Sequence, residues 1–275
     1  MIKDRWPSTI LKYFFLTLGA VIMAVPFLWM ISTAFKTPPE TNIWPPKLLP
    51  SQFRFDVFRR VFESAPFDRY FLNSLYMAAG TMVSILFTSS LAGYIFAKFK
   101  FPGKNALFAL LLGTAIIPFE VYMIPLYVQV NKLNLINTYP GLLLPNLVMS
   151  FGIFFMRQAI IQQIPDELQE AARVEGASEW RIFFQIVLPL ISSTLAALGI
   201  FCFMNGWNAF VWPLLVASSS RLFTMELGLA NFQTAYSLDI NLISAGSLIS
   251  IAPVLIVFLF LRKQIITSIS ITGMK

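Results

Sequence analysis

The sequence predicts an all-α membrane protein with six transmembrane helices, and three observations carry that expectation. Of the 275 residues, 57% are hydrophobic and only 12% are charged, against about 25% charged in soluble globular domains. The charges are also excluded from long stretches. No Asp, Glu, Lys or Arg occurs from Tyr13 to Phe35, Tyr70 to Ala97, Leu133 to Met156, Ile182 to Ser220 or Ile240 to Leu261, and Asn105 to Asn131 holds only Glu120. Each stretch reaches the roughly 20 residues that a helix needs to cross a ~30 Å hydrocarbon core. None shows the short alternating pattern of a barrel strand, so closed backbone hydrogen bonding requires helices.

The spans are expected near 11–34, 71–97, 106–130, 140–163, 186–209 and 241–262. Lys3, Arg5 and Lys12 precede the first as in a signal peptide. Its apolar run is too long for one and no small-residue cleavage site follows, so it reads as a retained helix. The connection 36–69 is too long for a simple turn. "TPPE" and "WPPKLLP" favour extended backbone. "FRFDVFRRVFESAPF" repeats Phe55, Phe58, Val61 and Phe62 at helical spacing. That pattern suits a short surface helix, one lying on the outer membrane surface, or one packed on a partner. Asn73 and Ser74 are expected to cap the second span. Gly80 and Gly93, with Ser84, Ser89 and Ser90, suit close helix packing.

Basic residues favour the cytoplasm. Lys3, Arg5 and Lys12, then Lys98, Lys100 and Lys104, then Arg262, Lys263 and Lys275 place both termini inside. The first loop opposes this with six basic residues, offset in part by four acids. The net charge of +7 comes without a basic stripe on a soluble fold, so membrane topology accounts for it better than nucleic acid. The absence of His, and a single Cys (Cys202) in an apolar span, remove His acid–base chemistry, Cys–His nucleophiles and disulfides. They nearly remove transition-metal sites as well. No GxxxxGK[ST] occurs, so nothing points to ATP on this chain, and no cofactor is expected on it.

One island departs from the oily background. Asp166, Glu167, Glu170, Glu175 and Glu179 put five of the thirteen acids into fourteen residues. Pro165 suits a helix start, with Asp166 and Glu167 complementing its dipole. Leu168, Ala171, Ala172 and Glu175 are expected on one shallow face, with Glu170 within reach of Arg173. Gly176 suits a left-handed helix stop and Ser178 the N-cap of a second helix. Two readings stand on these residues alone: a solvated loop with helical tendency, and a rigid cytosolic docking element.

"EAARVEGASEWRIFFQIVLP" resembles the EAA signature of ABC importer permeases: EAA, three residues, Gly, nine residues, Ile, any residue, Leu-Pro. Glu170, Ala171, Ala172, Gly176, Ile186, Leu188 and Pro189 fill every fixed position. "IPDELQEAARVEGAS" is similar to the carbohydrate-uptake branch, the maltose-type second permease. The likeness continues in "VPFLWMISTAFK", "RYFLNSLYMA", "IPLY", "PNLVMSFGIFFMRQ" and "WNAFVWPLLV". The resemblance implies a type I ABC importer permease fold in a bacterial inner membrane, forming half of the path for a carbohydrate or related polyol. It implies a heterodimer with a second homologous permease, two ATPase subunits that hold ATP and Mg, an extracytoplasmic solute-binding protein and surrounding lipid. It also implies a coupling helix in the loop 164–185 that inserts into a groove on the ATPase, carried by Glu170, Ala171, Ala172, Arg173, Gly176, Ala177 and Ser178. Movement of the ATPases would then swing the fourth and fifth spans. The tail 263–275 resembles endings that reach the ATPase interface, which points to Thr272, Gly273 and Lys275; a frayed terminus is the plainer reading.

Glu120 is the only acid inside an expected span, so it is a functional candidate, for helix packing or gating or for substrate contact. Asn205, Trp207, Asn208 and Trp212 fall where the fifth span leaves the membrane. They suit an interfacial aromatic belt or a path lining in which rings stack on sugars. An ion-coupled secondary transporter would need ionisable relays and inverted repeats, and a membrane-embedded enzyme would need convergent catalytic groups; the spans offer only Glu120. An importer for a non-sugar solute stays open as an alternative.

Overall fold

Helices account for every regular element among the described residues. The structure, a computed structural model, describes residues 6–236 and 239–272, with side chains from 9 to 260 within those limits. In chain order the helices are α1 (Trp6–Ala34), α2 (Pro38–Thr41), α3 (Asp56–Ser64), α4 (Phe67–Lys98), α5 (Lys104–Ile116), α6 (Phe119–Lys132), α7 (Tyr139–Leu143) and α8 (Ser150–Gln163). There follow α9 (Asp166–Val174), α10 (Glu179–Ile182), α11 (Leu188–Leu190), α12 (Ser192–Trp207), α13 (Val211–Val216), α14 (Met225–Ala235) and α15 (Ile240–Thr272).

Among the described residues, four stretches are long and apolar enough to cross a membrane: Thr9–Ala34, Phe67–Lys98, Ser192–Val216 and Ile240–Phe260. Two bent pairs qualify jointly, α5 with α6 at 99° and Tyr139–Asn146 with α8 at 46°. Counting each pair as one span gives six. The expected straight span over 106–130 is therefore two helices. Its break follows from Pro118, which disfavours helical backbone at the residue before it. Ile117 and Pro118 are both extended, with ψ of 117° and 144°. A smaller irregularity precedes Pro189. Pro lacks the N–H for a bond to the carbonyl four residues back, and residues Phe183–Val187 widen into a π turn in which Leu188 N–H donates to Phe183 O.

The chain separates into two compact units, residues 1–67 with 229–252, and 68–228 with 253–275. In the first, the expected amphipathic helix is α3, and Val57 and Val61 are its buried side chains. The Phe35 ring meets Phe53, Phe55 and Phe58 at centroid distances of 5.2–5.8 Å. Lys36 is buried: its Nζ donates to Lys47 O at 2.6 Å and lies 4.1 Å from the Trp29 ring. Burial pushes its pKa down, with Glu40 opposing. The Glu40 carboxylate caps α2 from Thr37 N and accepts from Ser51 N, both at 2.9 Å. The Ser51 hydroxyl first, then the Thr37 and Ser51 backbone N–H groups, hold its pKa down to about 2.

In the second unit α4 is the central helix. A Cβ on Gly93 would stand 2.8 Å from Met156 Cβ of α8, and one on Gly206 of α12 would stand 2.7 Å from Ala78 Cα of α4. Gly80 faces Leu143 of α7, and Ser84 Oγ donates to Leu147 O at 2.8 Å. The small residues expected to permit close packing do so. One buried cluster joins Ile85 and Tyr94 of α4 to Met156, Ile160, Ile164, Ala172, Ile182 and Phe183. A second joins Met77 to Val130, Leu142, Trp212, Val216 and Leu227.

Asn73 and Ser74 do not cap the second span. The helix begins six residues earlier, at Phe67, which leaves both buried inside α4. There they hold the loop before α14. Asn73 Nδ2 donates to Arg221 O and Phe223 O at 2.9 Å, Tyr139 donates to Asn73 Oδ1 at 3.0 Å, and Met225 N donates to Ser74 Oγ at 2.7 Å. Asn137, in left-handed backbone at φ 58°, adds a third hold by accepting from Ser218 N and Ser219 N at 3.1 and 3.2 Å.

These contacts set an expectation for thermal unfolding in detergent. Gly206→Ala places a methyl against the α4 backbone and should destabilise the chain by about 1–3 kcal/mol. Gly113→Ala, with nothing within 4 Å of the added Cβ, should leave stability unchanged or raise it by about 0.5–1 kcal/mol.

Candidate functional site

The acidic island folds as a helix, a tight reversal and a second short helix. Pro165 is the N-cap of α9 rather than its first residue, with ψ 147°. Gly176 N–H donates to Arg173 O and Ala177 N–H to Ala172 O, both at 3.0 Å. This is the paired bonding of a Schellman motif. It needs a left-handed residue, and Gly176 has φ 82° with open space where a Cβ would stand. Ser178 then caps α10, its Oγ accepting from Arg181 N at 3.4 Å.

The inner and outer faces of α9 differ from the expected single face. Gln169 and Ala172 are buried, and Ala172 joins the cluster of Tyr94, Ile164, Ile182 and Phe183. Leu168 and Ala171 face outward with Val174, which is 89% exposed. The reason is the direction of the inner face: with a 100° step per residue, Ala171 lies about 130° from the direction midway between buried Gln169 and Ala172, so it turns outward. Glu167, Glu170 and Glu175 flank the outer stripe.

The ion pairing also differs. Arg173 pairs with Glu179, not Glu170: its Nε donates to Oε1 at 2.7 Å and Nη2 to Oε2 at 3.4 Å. The reversal at Gly176 brings Glu179 back over the end of α9, where Tyr94 OH of α4 also donates to Oε2 at 2.9 Å. Arg173 chiefly, then Tyr94, holds the Glu179 carboxyl below the usual carboxylate range, against its desolvation. At the other end, Lys98 Nζ donates to Ile164 O and Asp166 Oδ1, each at 2.5 Å. That ammonium holds Asp166 below its ordinary pKa. No sequence pattern singles out Tyr94, Lys98 or Glu179 as site residues. Only the capping Ser178 ahead of Glu179 hints at the last of them.

The other candidates lie apart from this element. Glu120 occupies the first turn of α6, just beyond the break at Pro118, and is exposed. Asn205 is exposed, its Nδ2 donating to Phe201 O at 2.9 Å, and exposed Asn208 ends α12. Trp207, expected at the membrane interface or along the path, is instead 0% exposed, with Phe71 and Phe203 at 5.4 and 6.0 Å. Trp212 is buried too, donating to Gly141 O at 3.1 Å. Neither ring offers a face to a solute in this conformation, and neither forms an interfacial belt. The tail residues Thr272, Gly273 and Lys275 lie outside the described residues, apart from the backbone of Thr272, as do Lys3 and Arg5.

Comparison with known proteins agrees along the whole chain. Residues 89–267 match the family described as binding-protein-dependent transport system inner membrane component. The arabinooligosaccharides transport system permease protein of Halalkalibacterium halodurans is 37% identical over 98% of this chain and 99% of its own. The lactose transport system permease protein of Rhizobium radiobacter is 34% identical, covering 96% of each. In fold, the chain resembles one chain of a bacterial ABC transporter involved in alginate import, with a TM-score of 0.83 at 21% identity over 93% of this chain and 95% of that one. With the family pattern spanning most of its length and relatives matching from end to end, this chain belongs to the binding-protein-dependent transport system inner membrane components, the permease subunits of ABC importers.

Proposed function

We propose that this permease spans the inner membrane six times with both termini in the cytoplasm, and that residues 164–185 dock it to a separate ATPase. The observation that carries the docking is the outer stripe Leu168, Ala171 and Val174, exposed on a helix whose opposite side is packed into the chain's own core. An exposed apolar stripe rimmed by acids suits an apolar groove with basic edges, the helix-in-groove mode of recognition. Glu170, left without an intrachain ion pair among the described residues, is then available to such an edge. Ala171 lets the groove come close, Ala172 packs the helix onto the core, Arg173 ties its end to Glu179, and Gly176, Ala177 and Ser178 set its angle.

The complete importer in this reading contains a second homologous permease, two ATPase subunits that hold ATP and Mg, and an extracytoplasmic binding protein that delivers the solute. The solute is a carbohydrate or related polyol. The arabinooligosaccharide and lactose systems of the relatives support that class. Glu120, Asn205 and Asn208 are exposed polar groups in or beside apolar spans, and such groups face water or a neighbouring subunit in a membrane. They are the path candidates of this chain.

Uptake of labelled oligosaccharide by vesicles holding the assembled importer tests the docking. Gly176→Val imposes left-handed strain of about 1–2 kcal/mol, with open space around the added Cβ. It should lower uptake by about tenfold while membrane insertion persists, and Gly176→Asn, which tolerates that backbone, should retain most of it. Normal uptake by Gly176→Val sinks the docking role. Val174→Glu should abolish co-purification with the ATPase. For the solute, calorimetric titration of the partner binding protein should show saccharide binding; binding of amino acids or peptides instead would reassign the substrate.

A further inference from the structure

We propose that Tyr94 and Lys98 are positioning residues through which α4 grips both ends of the segment 166–182, so that ATPase movement drives the second span directly. The proposal rests on the docking reading above and adds the route that motion takes. Sequence order alone would deliver it to α8 and α12, the helices on either side of the segment.

The grip has two points. The segment begins where α8 ends, and there Lys98 Nζ donates to Ile164 O and Asp166 Oδ1 at 2.5 Å. Its side chain is only 7% exposed. The reversal ends at Glu179, and there Tyr94 OH donates to Oε2 at 2.9 Å. Residues 94 and 98 are one helical turn apart on the same face of α4. Bonds to charged groups are the strong ones among protein hydrogen bonds, and both contacts are of that kind. Glu179 is at the same time bound to Arg173 at the end of α9, so the two arms of the reversal and α4 meet at one carboxylate. The Tyr94 ring cannot swing away. It is buried, with Phe99 and Phe183 at 5.4 and 5.7 Å.

Two attachments differ mechanically from one. A segment held at a single point can pivot when its outer face is pushed; one held at both ends must carry its anchor along. The anchor is stiff, since α4 meets α8 at Gly93 and α12 at Gly206, each so closely that a Cβ on the glycine would stand under 3 Å from the neighbouring backbone. A push on Leu168, Ala171 and Val174 therefore reaches the three helices together through α4.

The test uses the complete importer in vesicles, with Val174→Cys cross-linked to a cysteine in the ATPase groove. Two quantities are read: cross-linking, and solute carried per ATP hydrolysed. Tyr94→Phe/Lys98→Met should keep the cross-link and the membrane level while solute per ATP falls roughly threefold or more. Lys98→Glu should lower the ratio, and adding Asp166→Lys should restore it by reversing the pair. An unchanged ratio with the cross-link intact overturns the proposal. Loss of the cross-link overturns it as well, because the two residues would then serve assembly. Absence of the cross-link in the otherwise wild-type chain overturns the docking reading itself, and this proposal with it. Should the double variant not reach the membrane, Tyr94→Phe alone decides: it removes one oxygen and keeps the ring, and an unchanged ratio overturns the proposal.

Discussion

The contact of α4 with its neighbours at glycine is the constraint on which the second unit depends. Gly93 and Gly206 let α8 and α12 approach the α4 backbone to distances that any side chain would prevent. In a membrane, where lipid removes most of the hydrophobic drive between helices, such close van der Waals packing is what holds them together. Once α4 lies that close, its other side chains reach both ends of the unit. Asn73 and Ser74 hold the loop before α14, and Tyr94 and Lys98 hold the segment 166–182.

Two departures from regular helix adjoin prolines. Backbone in hydrocarbon must satisfy its own hydrogen bonds, so breaks are tolerated only where protein or water covers them. The 99° break at Pro118 places Glu120 in the first turn of a new helix. The π turn ahead of Pro189 lies between α10 and α12, on the stretch that links the acidic segment to the membrane helices. In both cases a proline's missing N–H and ring decide the position.

The segment 166–182 combines a stiff interior with an unfinished exterior. Ala172, Ile182 and Phe183 are part of the core, and Glu179 is shared by Arg173 and Tyr94. Leu168, Ala171 and Val174 have no such neighbours on their outer side. One face of the segment is thus fixed to its own chain while the other is exposed.

Hydropathy and charge alone determined the helical class and the place of the acidic island between apolar stretches, because these depend on transfer energies summed over about 20 residues. Gly176 was equally legible, since a left-handed helix stop is a property of one residue and its backbone. The small residues of α4 announced close packing but not their partners. What only the tertiary structure decided involves residues far apart in the chain or a choice of face. Glu179 displaced Glu170 as the partner of Arg173 because the turn folds it back. Tyr94 and Lys98 found the segment across 85 and 68 positions. Trp207 became core and not path lining because Gly206 draws its helix onto α4. Pairings of this kind are set by where three-dimensional packing brings two side chains, and no local pattern of residues encodes that distance.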